Sequence, residues 1–130
     1  METFRVSEAA RLLGVSDDTV RRWVESGALP TTDATPAEIP GDALAAFARG
    51  RADAAPDPTD VLSSARNRFV GLVTRVVKDR VMAQVDIQAG PHRVVSLMST
   101  EAVEALGLEP GSLAVAVVKA TNVIVETPKD

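Results

Sequence analysis

Apolar positions follow two different periods along this chain. Up to residue 51 they recur at helical spacing, with Val20 three and four positions before Trp23 and Val24, while Thr19, Arg21, Arg22 and Glu25 are left to face outward. Ser7 reads as the cap of a short helix carrying Glu8 in its first turn and stopped by Gly14. Ser16 caps a second helix, with Asp17 and Asp18 at its positive end and Gly27 closing it. Residues 30–40 are turn-rich, and a third helix is expected over 42–49, where Leu44, Phe47 and Ala48 complete a small core. From residue 69 onward valine dominates, and Val81, Ala83, Val85 and Ile87 alternate with Met82, Gln84 and Asp86. Strands are expected over 69–77, 81–87, 93–98, 113–119 and 123–126. One helix over 100–106, capped by Ser99 or Thr100 and ended by Gly107, interrupts them, and His92 reads as a loop residue. Between the two textures Pro56 and Pro58 punctuate a polar linker. The expectation is an α+β protein of two domains: a helical domain (1–51), a linker (52–61), and an OB-like five-stranded β-barrel with one short helix (62–130).

Composition narrows the chemistry. The chain has 130 residues, no cysteine, one histidine and only four aromatic residues, Phe4, Trp23, Phe47 and Phe69. Disulfides, thiolate sites and a multi-histidine metal centre are thereby excluded, so no metal-ligating set is expected. No nucleophile has a base beside it, since Ser64, Ser96 and Ser99 share only the distant His92, and no catalytic residue is assigned. No apolar run reaches bilayer length and the start Met1-Glu2 is acidic, so a cytoplasmic protein without membrane contact is expected. The net charge of −4 divides unevenly: residues 1–60 hold six arginines against eleven acids, whereas the remainder holds eight cations against seven.

In the helical part the run Ser7-Glu8-Ala9-Ala10-Arg11-Leu12-Leu13-Gly14-Val15-Ser16, then Thr19-Val20-Arg21-Arg22-Trp23 and Gly27-Ala28-Leu29-Pro30, resembles the winged helix-turn-helix of excisionase-like and MerR-like regulators. The resemblance implies that the second helix enters the major groove of double-stranded DNA, with Ser16, Thr19, Arg21 and Arg22 as its contacts. In that family a basic wing follows; here residues 31–40 hold no cation at all. Duplex affinity draws on phosphate contacts and counterion release, so a helix-turn-helix kept for packing or oligomerisation stands beside the DNA reading.

Three clusters mark the second part: Ser64-Ala65-Arg66-Asn67, Ser96-Leu97-Met98-Ser99-Thr100 and Lys119-Ala120-Thr121. Singly, each has an ordinary explanation as a polar strand lead, a helix cap or a solvated lysine. In this order, with Gly71-Leu72-Val73 after the first, they resemble the molybdate-binding Mop/TOBE domain of molbindins and molybdate-responsive regulators, over about residues 62–127. A tetrahedral dianion needs compensating charge and many hydrogen-bond donors. Arg66 and Lys119 supply the first, hydroxyls and backbone amides the second. The resemblance implies ligand contacts at Ser64, Ala65, Arg66, Asn67, Lys119, Ala120 and Thr121, with Ser96 and Ser99 from the intervening segment. Molybdate or tungstate is the implied ligand, with no organic cofactor. It also implies barrels completed by exchange between copies, as a homodimer or a hexamer built from dimers. Two functions remain open: a molybdate-responsive DNA-binding regulator, or a molbindin-like storage protein whose helical domain does not bind DNA.

Overall fold

Small residues let the N-terminal helices approach closely. A computed structural model of the chain describes residues 2–52 and 56–129, which divide into two units, Met1–Ala54 and Ala55–Asp130. Of the expected linker, residues 53–55 lie outside the described ones.

In the first unit, α1 (Val6–Leu13), α2 (Asp17–Glu25) and α3 (Gly41–Arg51) surround a core of Ala9, Ala10, Val20, Leu29, Ile39 and Leu44. Phe4, Leu13, Trp23, Val24 and Phe47 pack on its margin. Ser7 is not the cap of α1. The helix starts two residues earlier, with Arg5 extended at the cap position and its amide donating to Glu8 Oε1 at 2.9 Å. A glutamate at the third helical position reaching back to the cap amide outcompetes a serine placed two residues too late. Ser16 does cap α2, its hydroxyl accepting from Thr19 N at 3.2 Å. A two-residue ladder joins β1 (Thr3–Phe4) to β2 (Ile39–Pro40). The connection between α2 and β2 is tied by Thr32, whose amide donates to Glu38 O at 2.8 Å and whose hydroxyl accepts from Glu38 N at 3.2 Å.

The second unit is a curled antiparallel sheet of β3 (Asn67–Lys78), β4 (Met82–Ala89), β5 (His92–Ser99) and β6 (Leu113–Val118), in the order β5-β4-β3-β6. Helix α4 (Thr100–Leu106) follows β5, and its Val103 joins Val73, Ala83, Val85 and Ile87 in the core. Alternation along β4 directs Ala83, Val85 and Ile87 to one face, as expected. On the opposite face Asp86 is buried as well, because Gln84 Nε2 (3.0 Å) and Arg93 Nε and Nη2 (3.0 and 2.8 Å) close over its carboxylate. Those bonds, Gln84 first, hold its carboxyl below the usual range. A bulge at Thr74 shifts the register between Val73 and Arg75, so that Val76 comes opposite Val85. At Gly71 the strands approach so closely that an added Cβ would overlap the Gln88 carbonyl oxygen and lie 2.8 Å from Ile87 Cγ2.

Three expectations are corrected. Val81 is exposed rather than inward, because Asp79 Oδ1 accepts the amides of Val81 and Met82 (both 2.8 Å) in a tight turn and β4 begins only at Met82. His92 opens β5 instead of lying in a loop. The fifth strand does not form within the chain. After β6 a 3-10 turn, Ala120–Asn122, redirects the backbone, and Ile124 and Val125 are each 86% exposed with no ladder partner. Strand propensity at 123–126 is real, yet a strand exists only where an edge is offered to it.

Candidate functional site

Fifty-odd residues apart in sequence, the first and third clusters come together beside the start of β3 and the end of β6. The ladder pairs Asn67 with Val118, and Asn67 Nδ2 donates to the Val118 carbonyl at 3.3 Å. This pairing sets residues 63–66 beside residues 119–121. An open cavity of about 320 Å3 lies between them, lined by Ser63, Ser64, Ala65, Arg66, Val117, Lys119, Ala120 and Thr121. Arg66 and Lys119 are exposed, and no carboxylate lies within 4.0 Å of either among the described residues. Two uncompensated cations and the hydroxyls of Ser63, Ser64 and Thr121 therefore face one space with no acidic neighbour, an arrangement suited to an anion.

Local bonds settle which donors are available. The Ala65 amide is taken by Ser63 Oγ at 3.1 Å, so this residue supplies shape rather than a free donor. The turn after Lys119 is closed by Asn122 N to Lys119 O (2.9 Å) and Val123 N to Ala120 O (3.3 Å). The amides of Ala120 and Thr121 sit at its open start, where backbone donors have no partner in the preceding turn. Ser63 was missed by sequence reasoning; its place beside Ser64 in a serine pair is the only signal.

The middle cluster lies elsewhere. Ser96 and Ser99 belong to β5, at the opposite edge of the sheet from β6. Ser96 faces the sheet's inner surface opposite Val85 and lines an apolar trough of about 590 Å3 with Val94, Met98 and Ala116. Ser99 caps α4, accepting from Ala102 N at 3.1 Å. A single copy thus brings together Ser64, Ala65, Arg66, Lys119, Ala120 and Thr121 but not Ser96 or Ser99.

A second feature that sequence reasoning missed lies at the start of β3. Arg68 donates through Nε (3.2 Å) and Nη2 (2.7 Å) to Asp57 Oδ2, while Thr59 donates its amide (2.9 Å) and hydroxyl to Oδ1. The Thr59 hydroxyl first, then Arg68, lower the Asp57 carboxyl to about 2. Asp57 and Thr59, within the expected linker 52–61, are therefore fastened to β3.

In the helical unit Ser16 Oγ and Thr19 Oγ1 lie 2.9 Å apart, and Arg22 Nη2 donates to Thr19 Oγ1 at 3.2 Å. Arg21 turns the other way, to Asp18 at 2.9 Å and Asp17 at 3.9 Å. Among the described residues no group of His, Asp and Glu is arranged to hold a metal ion, and no helix is long and apolar enough to cross a membrane.

A curled sheet whose oxyanion-suited cavity lies between a strand lead and a strand exit, joined to a helix-turn-helix, defines the class of protein. The TOBE domain family matches residues 63–125, and the Helix-turn-helix domain family matches residues 3–52. Molybdenum-pterin-binding protein 3 of Clostridium pasteurianum is 40% identical over 63 residues, which are 48% of this chain and 93% of that protein. The chain belongs to the TOBE-domain family, with a helix-turn-helix domain preceding the TOBE domain. The molybdenum transport protein ModE of Herbaspirillum seropedicae is 36% identical over 66 residues, half of this chain but 24% of that one. A solved structure of the cytoplasmic molybdate-binding protein ModG with molybdate bound is similar at a TM-score of 0.52 and 38% identity, over 55% of this chain and 52% of that one. These relatives carry the names of binding and transport proteins.

Proposed function

We propose that the C-terminal unit binds molybdate or tungstate and that the chain is a molybdate-responsive DNA-binding regulator. The observation that carries the ligand reading is the convergence of Ser64, Arg66, Lys119 and Thr121 on one cavity without an acidic neighbour. Support comes also from the names of the relatives, which bind molybdenum-pterin or molybdate. Tungstate carries the same charge and nearly the same size, so the same donors serve both. Completion of the site by a second copy is part of the reading. Ser96 lies on the far edge of the sheet, the trough beside it is open, and Ile124 and Val125 are exposed with nothing among the described residues of their unit to cover them. Buried against a second copy, those side chains would favour a homodimer or an assembly of dimers.

Isothermal titration with molybdate, tungstate and sulfate tests the ligand. Binding of both metal oxyanions is expected, and its absence at micromolar protein overturns the reading. Arg66→Ala and Lys119→Ala should each weaken binding by about 2–5 kcal/mol, as loss of one partner of a charge pair does; unchanged affinity in both would move the site elsewhere.

A storage role without DNA binding is the second reading. Pairing of Arg21 with Asp17 and Asp18, and the cation-free segment 31–40, favour it. A mobility-shift assay on the region upstream of the protein's own coding sequence, with and without molybdate at fixed salt, separates the two. A molybdate-dependent shift supports regulation, and no shift in either condition supports storage.

A further inference from the structure

Helix α2 presents two flanks of opposite character. By the helical period, Asp17, Asp18, Arg21 and Glu25 share one flank, on which Asp17 and Asp18 both pair with the single guanidinium. Ser16, Thr19, Arg22 and Trp23 share the other, joined by the bonds from Arg22 to Thr19 and between Thr19 and Ser16. A third element adds a cation to that second flank. Arg51, at the end of α3, stands with its guanidinium carbon 4.5 Å from the centre of the Trp23 ring and 5.7 Å from that of Phe47, over an aromatic pair whose ring centres are 4.8 Å apart. Arg51 and Arg22 are both exposed, and neither has a carboxylate within 4.0 Å among the described residues.

We propose that the Arg22–Thr19–Arg51 flank, and not the Arg21 flank, is the surface of the helical unit that contacts the phosphodiester backbone of duplex DNA. A guanidinium stacked on an aromatic ring keeps its N–H donors in its own plane, free to meet phosphate oxygens, and has already lost much of the side-chain freedom that binding would cost. Arg51 thereby takes the part that a basic wing would play, which residues 31–40 cannot. On the other flank a phosphate would meet Asp17, Asp18 and Glu25 before it met Arg21. The inference rests on the DNA-binding reading above and names the surface that reading requires.

The test measures anisotropy of a labelled random-sequence duplex with the full chain, at about 50 mM and about 150 mM salt, where non-specific phosphate contacts dominate. Arg51→Met keeps the aliphatic stem on Trp23 without the charge, and Trp23 fluorescence during thermal unfolding checks that the unit remains folded. Arg51→Met and Arg22→Met are each expected to lose roughly tenfold in affinity at the lower salt and to reduce the slope of log K against log salt by about one. Arg51→Lys should keep the slope. Arg21→Met should change affinity by less than about twofold, its charge being already neutralised within the helix. Wild-type binding that Arg51→Met leaves intact, or that Arg21→Met weakens as much as Arg51→Met, overturns this inference alone. Failure of the wild-type chain to bind any duplex at low salt overturns the DNA reading together with it.

Discussion

Gly71 sits in the middle of β3, opposite Ala114 on β6. Its replacement by alanine adds one methyl group directed at two neighbours that cannot yield cheaply. The first is the backbone carbonyl of Gln88, which the new Cβ would overlap. The second is Cγ2 of Ile87, 2.8 Å away on a side chain that is 6% exposed. Exchange of glycine for alanine where the backbone allows it normally stabilises by about 0.4–1 kcal/mol, because the unfolded chain becomes less flexible. Overpacking costs about 1–3 kcal/mol when side chains can adjust, and the upper end applies where the obstacle is backbone. The net is a loss of about 2 kcal/mol, which for a unit of this size lowers the melting temperature by roughly 8–16 °C. Far-UV circular dichroism of the sheet follows it. Trp23, the single tryptophan, lies in the other unit and reports by fluorescence that the helical part still unfolds where it did. A Gly71→Ala chain whose sheet melts within about 2 °C of wild type would refute the close approach as the reason for glycine.

The remaining predictions concern single polar groups. Ser99→Ala should lower stability by about 1 kcal/mol through loss of the α4 cap, and should weaken molybdate binding less than Ser64→Ala does; equal losses in titration would restore Ser99 to the ligand shell. Asp57 has its carboxyl lowered from 3.8 to about 2 in the folded chain, so its contribution is complete above about pH 4 and is lost as pH falls toward 2. The melting-temperature gap between wild type and Asp57→Asn should therefore close over that interval, and a gap independent of pH would contradict the assignment. Molybdate titration of the Arg66→Ala and Lys119→Ala chains, and duplex binding by the Arg51→Met chain, complete the set.

Much of the fold was legible because it is local. The glycine that ends α1, the serine that caps α2, and the alternation of Ala83, Val85 and Ile87 all act over a few residues, and a linear string records them. Boundaries slipped where a neighbour intervened. Glu8 moved the start of α1, and Asp79 pulled Val81 out of β4. The charge count needed the same correction. Of the eleven acids before residue 61, two, Asp57 and Asp60, fall in the second unit, and Asp57 is paired with Arg68. The helical unit is thus less acidic than its stretch of sequence.

What the sequence determined by itself is the set of elements and the inventory of groups: two textures, three residue clusters, no thiol, one imidazole. Hydrophobic period, caps and residue chemistry are properties of neighbours along the chain, and no folding is needed to read them. Tertiary structure alone decided which groups meet. The β3–β6 ladder unites Ser64 and Arg66 with Lys119 and Thr121, and the strand order sends Ser96 to the opposite edge. Packing of α3 against α2 sets Arg51 on Trp23, while intrahelical acids withdraw Arg21. Residues 123–126 carry the strand pattern without a strand, because hydrogen bonding in a sheet is a property of pairs and the described residues offer them no second member.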